Sequence, residues 1–354
     1  MREKILVIHQ GALGDVILCF PALRSLKQGT GASVALLCND QVGKIAHELK
    51  IAEAHFPVES ARFCSLFSND MSHEMKGLVS NYDTIVLMGF SGDTAKGIRQ
   101  HHKGQTYRIT PRPPAEAETH VAIHVIEQLQ ARGLLTKRKD IASHASQPGE
   151  SLFGDSTWHR PKSRISNHSP HIQADPSLFD YPAIDQSENK QPRNLLLIHP
   201  GAGSKRKRWP LEKFVEVAAA LRGRNSKDVV FLVGPAEADL LPLIRNQTQD
   251  RFHVQQVEDL SEVTAFMKAS RCFVGNDSGL THLVAYVGLP TVAIFGPSSP
   301  KRWSPIGRAT KVLRGEADCT PCFEIANQNC DDPQCLSRVS VEMVLEAVED
   351  VGAA

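Results

Sequence analysis

The 354-residue chain lacks an excess of either charge: 40 Lys and Arg stand against 39 Asp and Glu, a net of +1 with histidine neutral. That balance excludes a generally basic nucleic-acid binder and a highly acidic disordered chain. Long apolar runs are also missing. The longest uncharged stretch, residues 278–299, is interrupted by His282, Gly288, Pro290 and Gly296, so it reads as helix, turn and strand rather than a membrane span. The apolar start at residues 5–8 is too short for a secretory leader, and no small-residue cleavage site follows it. Cysteine is sparse for a disulfide scaffold: Cys19, Cys38, Cys64 and Cys272 are scattered, and Cys319, Cys322, Cys330 and Cys335 gather near the end. The distribution fits a reducing, cytoplasmic compartment. Two nucleotide signatures are absent as well. Without Gly-x-Gly-x-x-Gly after the first strand a nicotinamide oxidoreductase is disfavoured, and without a Gly-Lys-Ser/Thr ending no loop is of the Walker type.

What is present is an alternation of strand and helix signals. Apolar runs at 4–8, 33–37, 84–88, 195–198, 229–233, 272–274 and 291–295 predict strands. Helical periodicity at 16–27, 121–132, 211–221, 260–269, 280–287 and 341–351 predicts helices. Continuous apolar strands separated by helices predict an α/β protein with parallel sheets covered on both faces. At ~150 residues per domain the length suits two domains. A repeat agrees with that: Leu6, Ile8, His9, Gly11 and Ala12 recur, 190 positions on, as Leu196, Ile198, His199, Gly201 and Ala202. Both copies open a strand-then-helix unit, which points to two Rossmann-like domains in tandem. Residues 141–192 between them are rich in Ser and Pro with little periodicity. They read as an irregular excursion, and their histidines (His144, His159, His168 and His171) as solvated loop residues.

Four motifs can carry chemistry. In the first, residues 8–16, Gly11 and Gly14 permit a tight turn and close ligand approach, and Asp15 stands where a helix begins. Asp15 either caps that helix or is a carboxylate at the carboxyl end of a strand, available as a general base. In the second, residues 199–210, a glycine-rich turn presents N–H groups and four consecutive cations follow at 205–208. That suits a diphosphate. A nucleic-acid patch is the competing reading, weakened because Trp209-Pro210 opens a helix at once. The third, residues 274–285, places a strand end before a helix starting near Ser278, so the amides of 276–280 form an anion-binding N-terminus. Asp277 there suits an N-cap, and His282 either donates to a phosphate oxygen or is structural. The fourth is Cys319-Thr-Pro-Cys322 with Cys330 and Cys335, a spacing that can close a thiolate site for structural zinc; an iron–sulfur cluster or free thiols are the alternatives.

These motifs resemble a known family. Residues 4–27, with Gly-Ala-Leu-Gly-Asp and Phe-Pro-Ala-Leu-Arg, are similar to the opening of the lipopolysaccharide heptosyltransferases. Residues 199–210, ending Lys-Arg-Trp-Pro, and residues 273–300, with Gly-Asn-Asp-Ser-Gly-Leu-Thr-His, resemble that family's donor-domain signatures. The resemblance implies a GT-B glycosyltransferase, two Rossmann-like parallel-sheet domains facing a cleft. Residues 1–180 would bind the acceptor and 193–336 the donor, with the last helix, 337–354, crossing back to the first domain. It implies inverting, metal-independent transfer of heptose from ADP-heptose to a lipid-linked oligosaccharide acceptor of the lipopolysaccharide core. It further implies peripheral contact with the cytoplasmic face of the inner membrane, no required cofactor and no nucleic acid. Asp15 is similar to the family's base, with Gly11, Ala12 and Gly14 in the acceptor-side loop. Lys207 resembles the lysine that neutralises the leaving diphosphate, with Ser204 and Arg206 as neighbours. Asp277, Ser278, Gly279, Leu280 and His282 match the stretch around the diphosphate, and Glu237 the carboxylate that accepts from the ribose. The chain departs from the family at His9 and Gln10, where Arg and a small or apolar residue are frequent, and in residues 88–93 and 141–192. Alternatives are another nucleotide-sugar donor or acceptor on the same fold, or a non-catalytic nucleotide-binding module.

Overall fold

The computed structural model describes residues 2–68, 70–136, 195–225, 228–249, 251–317, 319–323, 330 and 332–352, so the excursion at 141–192 lies outside the described residues. The first half runs β1 (Lys4–His9), α1 (Leu13–Thr30), β2 (Ser33–Cys38), α2 (Asp40–Glu48), β3 (Ala54–Pro57) and α3 (His73–Ser80). It continues with β4 (Thr84–Met88), α4 (Gly92–His101), β5 (Gln105–Ile109) and α5 (Val121–Ala131). Its five strands make a parallel sheet in the order β3-β2-β1-β4-β5.

The second half runs β6 (Leu195–His199), α6 (Leu211–Asn225), β7 (Val229–Val233), α7 (Leu241–Thr248), β8 (His253–Gln256), α8 (Leu260–Ala269) and β9 (Ser270–Asn276). Then come α9 (Gly279–Tyr286), β10 (Thr291–Ile294), α10 (Pro300–Trp303), β11 (Thr310–Leu313), α11 (Gln334–Ser337) and α12 (Val341–Gly352). Six parallel strands are ordered β11-β10-β9-β6-β7-β8.

The strand period of two sorts side chains onto the two faces of each sheet. Along β1, Leu6 and Ile8 join a cluster with α3 and α4, whereas Ile5 and Val7 face α1 and α5. In the second sheet, Leu196, Ile198, Val229 and Phe231 face α6 and α12, and Leu197, Val230 and Phe273 face α8 and α9. The inward faces of the two halves merge into one apolar cluster, with α1 against α9 and α2 against α8. Phe20 meets Tyr286 edge-on with ring centroids 5.4 Å apart, and both rings are buried. Burying a side chain such as Phe20 stabilises by about 2 kcal/mol, so the two domains share part of their core energy.

One expectation is corrected here. The last helix does not cross back: Val344, Leu345, Val348 and Val351 of α12 pack into the second domain's core, against α6 and the strands β9, β10 and β11. Its apolar stripe completes the helical layer on the outer face of that sheet. Among the described residues, no helix is long and apolar enough to cross a membrane.

In each sheet the strand order reverses beside the strand that opens its domain: between β1 and β4 in the first, between β6 and β9 in the second. Ligands of open parallel sheets bind outside the carboxyl ends of strands at such switch points. The carboxyl ends of β1 and β6 are His9 and His199.

Candidate active site

The two switch points meet where the amino ends of α1 and α9 abut. A Cβ on Gly14 would fall 3.1 Å from His282 Cδ2 and 3.5 Å from the Gly279 Cα, and one on Gly279 would collide with Leu13 at 2.6 Å. Both glycines therefore allow a close helix–helix approach that sets the first turn of α1, which carries Asp15, against the first turn of α9, which carries His282. Partial positive charge at the two helix N-termini converges on the same place.

On the first-domain side, Ala12 is the N-cap of α1 and makes no side-chain cap bond, so Asp15 is a first-turn acid and not the cap. Its carboxylate is held by Arg112: Nη2 lies 2.9 Å from both oxygens and Nε 3.1 Å from Oδ1. The Arg112 guanidinium stacks over Trp303 of α10, 5.2 Å from the ring centroid. The segment carrying Arg112 is in turn strapped to the second domain. Buried Arg302 donates to the carbonyls of Pro113, Pro114, Ala115 and Ala117, and Lys301 pairs with Glu118 at 2.7 Å. His120 Nδ1 accepts from the Ala122 N–H while its Nε2 donates to the Ser304 carbonyl at 2.9 Å. Burial holds His120 at about 4, below the ordinary histidine range. Arg302, Trp303 and His120 do not stand out in sequence, because an isolated cation or ring carries no periodic signal, and Arg112 does so only as the end of the cationic stretch 108–112; only the topology joins residues 112–120 to 302–304.

On the second-domain side, Ser278 caps α9 by accepting from the Thr281 N–H at 3.3 Å. The N-cap expected of Asp277 is thus one residue too early. Asp277 instead lies 2.8 Å from Lys207 Nζ and 3.6 Å from His282 Nε2. Burial pushes its carboxyl up, but the His282 hydrogen bond and the Lys207 charge outweigh that and hold it at about 2. Lys207 also sits 4.1 Å over the Phe323 ring. The other cations of the run are engaged too. Lys205 and Arg208 share Asp239, at 3.4 and 2.9 Å, and Arg206 donates to Cys322 Sγ at 3.4 Å. Two carboxylates, Asp239 and Asp277, thus stand against the four cations of 205–208, so the loop is structured by its pairs and keeps a net positive charge.

Glu237 is buried against Gly201, where a Cβ would fall 2.3 Å from its Cγ. Burial raises its pKa, yet the hydrogen bond and charge of His199 and the Gly234 N–H more than offset this and lower it. His199 lies 3.7 Å from Glu237 through Nε2 and 3.4 Å from Ser278 Oγ through Nδ1, linking the ribose candidate to the α9 cap. Asn276 fixes the loop between them: Nδ2 donates to the Pro200 carbonyl at 2.8 Å and Oδ1 accepts from the Trp209 N–H at 2.9 Å. His199 and Asn276 act as builders of this site, and the sequence signal for His199 is its place in the internal repeat. Gly11 lies against His9 and Asp15, Leu280 is buried in the inter-domain cluster, and Ser204 is the N-cap residue of the short 3-10 turn holding Lys207.

Among the described residues no group of three or more His, Cys, Asp or Glu is arranged to hold a metal ion. Cys319, Cys322, Cys330 and Cys335 are free thiols; burial raises the Cys335 pKa, and the other three thiols add to it. The zinc expectation thus finds no preformed ligand group.

The family model for glycosyltransferase family 9 (heptosyltransferase) matches residues 156–331. Lipopolysaccharide heptosyltransferase 2 of Salmonella typhimurium is 31% identical over 129 residues, 34% of this chain and 36% of that protein. The crystal structure of a family 9 glycosyl transferase from Veillonella parvula superposes with a TM-score of 0.71 at 20% identity, covering 99% of this chain and 97% of that one. E. coli ADP-heptose lps heptosyltransferase II does so with a TM-score of 0.65 at 19% identity, covering 99% and 98%. These structural likenesses establish the GT-B fold.

Proposed function

We propose, from the premise that the chain belongs to glycosyltransferase family 9 (heptosyltransferase), that it transfers a heptose from ADP-heptose to a lipid-linked oligosaccharide of the lipopolysaccharide core. The observation that carries this reading is the meeting of Gly14, the residue before Asp15, with Gly279 and His282 across the α1–α9 contact. A base supplied by one domain and a diphosphate cradle supplied by the other is what inverting transfer between a nucleotide sugar and a hydroxyl requires. The name of the E. coli relative in structure supports ADP-heptose as donor.

In this reading Asp15 removes the proton from the acceptor hydroxyl as the oxygen attacks the anomeric carbon. A carboxylate offers about four lone-pair directions. Arg112 makes three contacts to it, so it orients the group while leaving room for the incoming hydroxyl. On the opposite side the bond to the diphosphate breaks, and the charge that develops there is met by the N-terminus of α9, Lys207 and His282. Glu237, held by His199 and Gly234, faces the ribose hydroxyls. The preorganised network means these groups need little rearrangement as charge develops. Contact with the inner membrane is peripheral and supplied by the acceptor's lipid.

The test is Asp15→Ala assayed for ADP release with ADP-heptose and a core oligosaccharide. Turnover should fall by about 10²–10⁴-fold, the usual contribution of a general base, with ADP affinity unchanged. Undiminished turnover would remove Asp15 from the mechanism. Calorimetric titration with ADP, UDP and GDP separates the donor question: a preference for UDP or GDP would keep the transferase and discard the heptose.

A further inference from the structure

His9 ends β1 on the face shared with Ile5 and Val7, the side covered by α1 and α5. Its side chain is 2% exposed. The ring and the base flank the same glycine: a Cβ on Gly11 would fall 2.4 Å from His9 Cε1 and 2.9 Å from Asp15 Cβ. The Gly11 N–H donates to His9 Nδ1 at 2.8 Å, which fixes Nδ1 as an acceptor and puts the proton of the neutral ring on Nε2. Burial, opposed by Asp15 and assisted by Arg112, holds the ring at about 4, so it is neutral at pH 7. Nε2–H is therefore a buried donor, and among the described residues it has no hydrogen-bond partner.

His120 shows what such a ring ordinarily does. Its Nδ1 accepts a backbone N–H two residues on, as in His9, and its Nε2 donates to the Ser304 carbonyl. A buried donor without an acceptor is costly, so the one in the turn next to Asp15 calls for an acceptor atom brought by something other than the described chain. The Nδ1–Cε1 edge of the ring faces Gly11, and Asp15 Cβ flanks the same glycine, so the ring and the base share the turn that follows β1.

We propose that His9 is a substrate-contacting residue of the transfer: its Nε2–H donates to an oxygen of the acceptor sugar and presents the attacking hydroxyl to Asp15. The inference rests on Asp15 being the base, and it adds His9 to the acceptor-side loop that the family resemblance implies. An acceptor that offers a hydroxyl or ring oxygen there satisfies the donor, whereas a cationic group would find Arg112 opposing it. The chemistry required is a polyhydroxylated sugar.

The test uses the full chain labelled with ¹⁵N-histidine, its His9 resonances assigned by His9→Gln. The probe is a deacylated, phosphorylated inner-core oligosaccharide. Expected at pH 7 is the Nε2–H tautomer, with an Nε2 resonance that shifts on adding the oligosaccharide and stays put on adding ADP. In parallel, His9→Phe should raise the acceptor KM by about 10-fold, the loss of one hydrogen bond to a buried donor site, with ADP affinity unaltered. His9→Gln, which places an N–H near the Nε2 position, should recover most of that loss. An Nδ1–H tautomer, an Nε2 resonance indifferent to the oligosaccharide, or equal losses in the Gln and Phe variants would overturn the proposal. Should Nε2 respond to the oligosaccharide while no heptose is transferred, the acceptor contact stands and the donor reading fails.

Discussion

His9 and His199 occupy matching positions 190 residues apart, each ending the strand that opens its domain, yet their surroundings differ. His199 has a partner on each ring nitrogen, Glu237 and Ser278, and through them it is tied to the α9 cap and the Gly201 turn. His9 has a partner on Nδ1 alone. The same contrast holds for the carboxylates nearby. Asp277 is buried between Lys207 and His282, while Asp15 is paired with an arginine whose side chain is 59% exposed. Among the described residues each side also keeps a buried ring nitrogen without a hydrogen-bond partner, His282 Nδ1 in the second domain and His9 Nε2 in the first, so the contrast lies in how the two carboxylates are held. Under the proposed function, the buried and doubly paired Asp277 suits a charged nucleotide that gains from rigid preorganisation, and an Asp15 held by an exposed arginine suits a larger acceptor that has to be admitted.

The contrast breaks most visibly under substitution of the two aspartates. Removing one member of a buried ion pair costs roughly 3–5 kcal/mol, and Asp277→Asn should fall at the low end because Lys207 can turn outward to solvent. Asp15→Asn should cost only about 0–1 kcal/mol, since its arginine is already in water. Denaturant midpoints at pH 7 measure both. Equal destabilisation by the two changes would mean that the first-domain pair is as structural as the second.

A pH series sharpens the same point. His9 and His120 are held at about 4 by burial, against an ordinary value near 6.5. Above pH 6.5 both are neutral in the folded and unfolded chain. As the pH falls from 6.5 towards 4 the unfolded chain takes up protons that the folded one refuses, so stability is lost on acidification. At pH 5 the loss is about 2 kcal/mol for each ring. Asp277, with its carboxyl at about 2, keeps its contribution down to pH 4 and loses it only between 4 and 2. Urea unfolding at pH 7 and pH 5 should therefore show a decline that His9→Gln reduces by about half. A His9→Gln variant with the slope of the natural protein would show that His9 is not held neutral.

How far the sequence foretold this structure depended on burial. The seven strands it revealed (β1, β2, β4, β6, β7, β9 and β10) are the inner strands of the two sheets, where both faces are covered and the apolar run is unbroken. The four it missed are β3, β5, β8 and β11, and each is a sheet edge. Edge strands such as His253–Gln256 carry polar residues on a half-exposed surface, and no apolar run marks them. The site divides similarly. Local motifs pointed to Asp15, Lys207, Glu237 and the 277–282 turn, because glycine turns and helix starts are local events. The charge pairs among them were not legible: Lys207 with Asp277 spans two loops, and Arg112 with Asp15 depends on how residues 110–120 return over β1. The α12 position was misread because the stripe of Val344, Leu345, Val348 and Val351 says that the helix is buried, not against which domain.

The smallest effect expected separates the two half-sites at the glycines of the repeat. A Cβ on Gly201 would lie 2.3 Å from Glu237 Cγ, and one on Gly11 would lie 2.4 Å from His9 Cε1. Overpacking of this kind costs about 1–3 kcal/mol, and both neighbours are side chains that can yield, so each substitution should lie near 1 kcal/mol in stability. The functional consequences should diverge. Gly201→Ala displaces the carboxylate assigned to the ribose, and ADP binding should weaken by about 10-fold while the acceptor KM holds, since a lost hydrogen bond to a charged group is worth about 1.5 kcal/mol. Gly11→Ala displaces the imidazole and crowds Asp15, so the acceptor KM should rise and turnover fall while ADP binds as before. Calorimetry with ADP and steady-state assays over acceptor concentration distinguish these patterns. If both variants weaken ADP alike, the two ends of the repeat act as one site, because a push on either strand end is then transmitted through the α1–α9 contact.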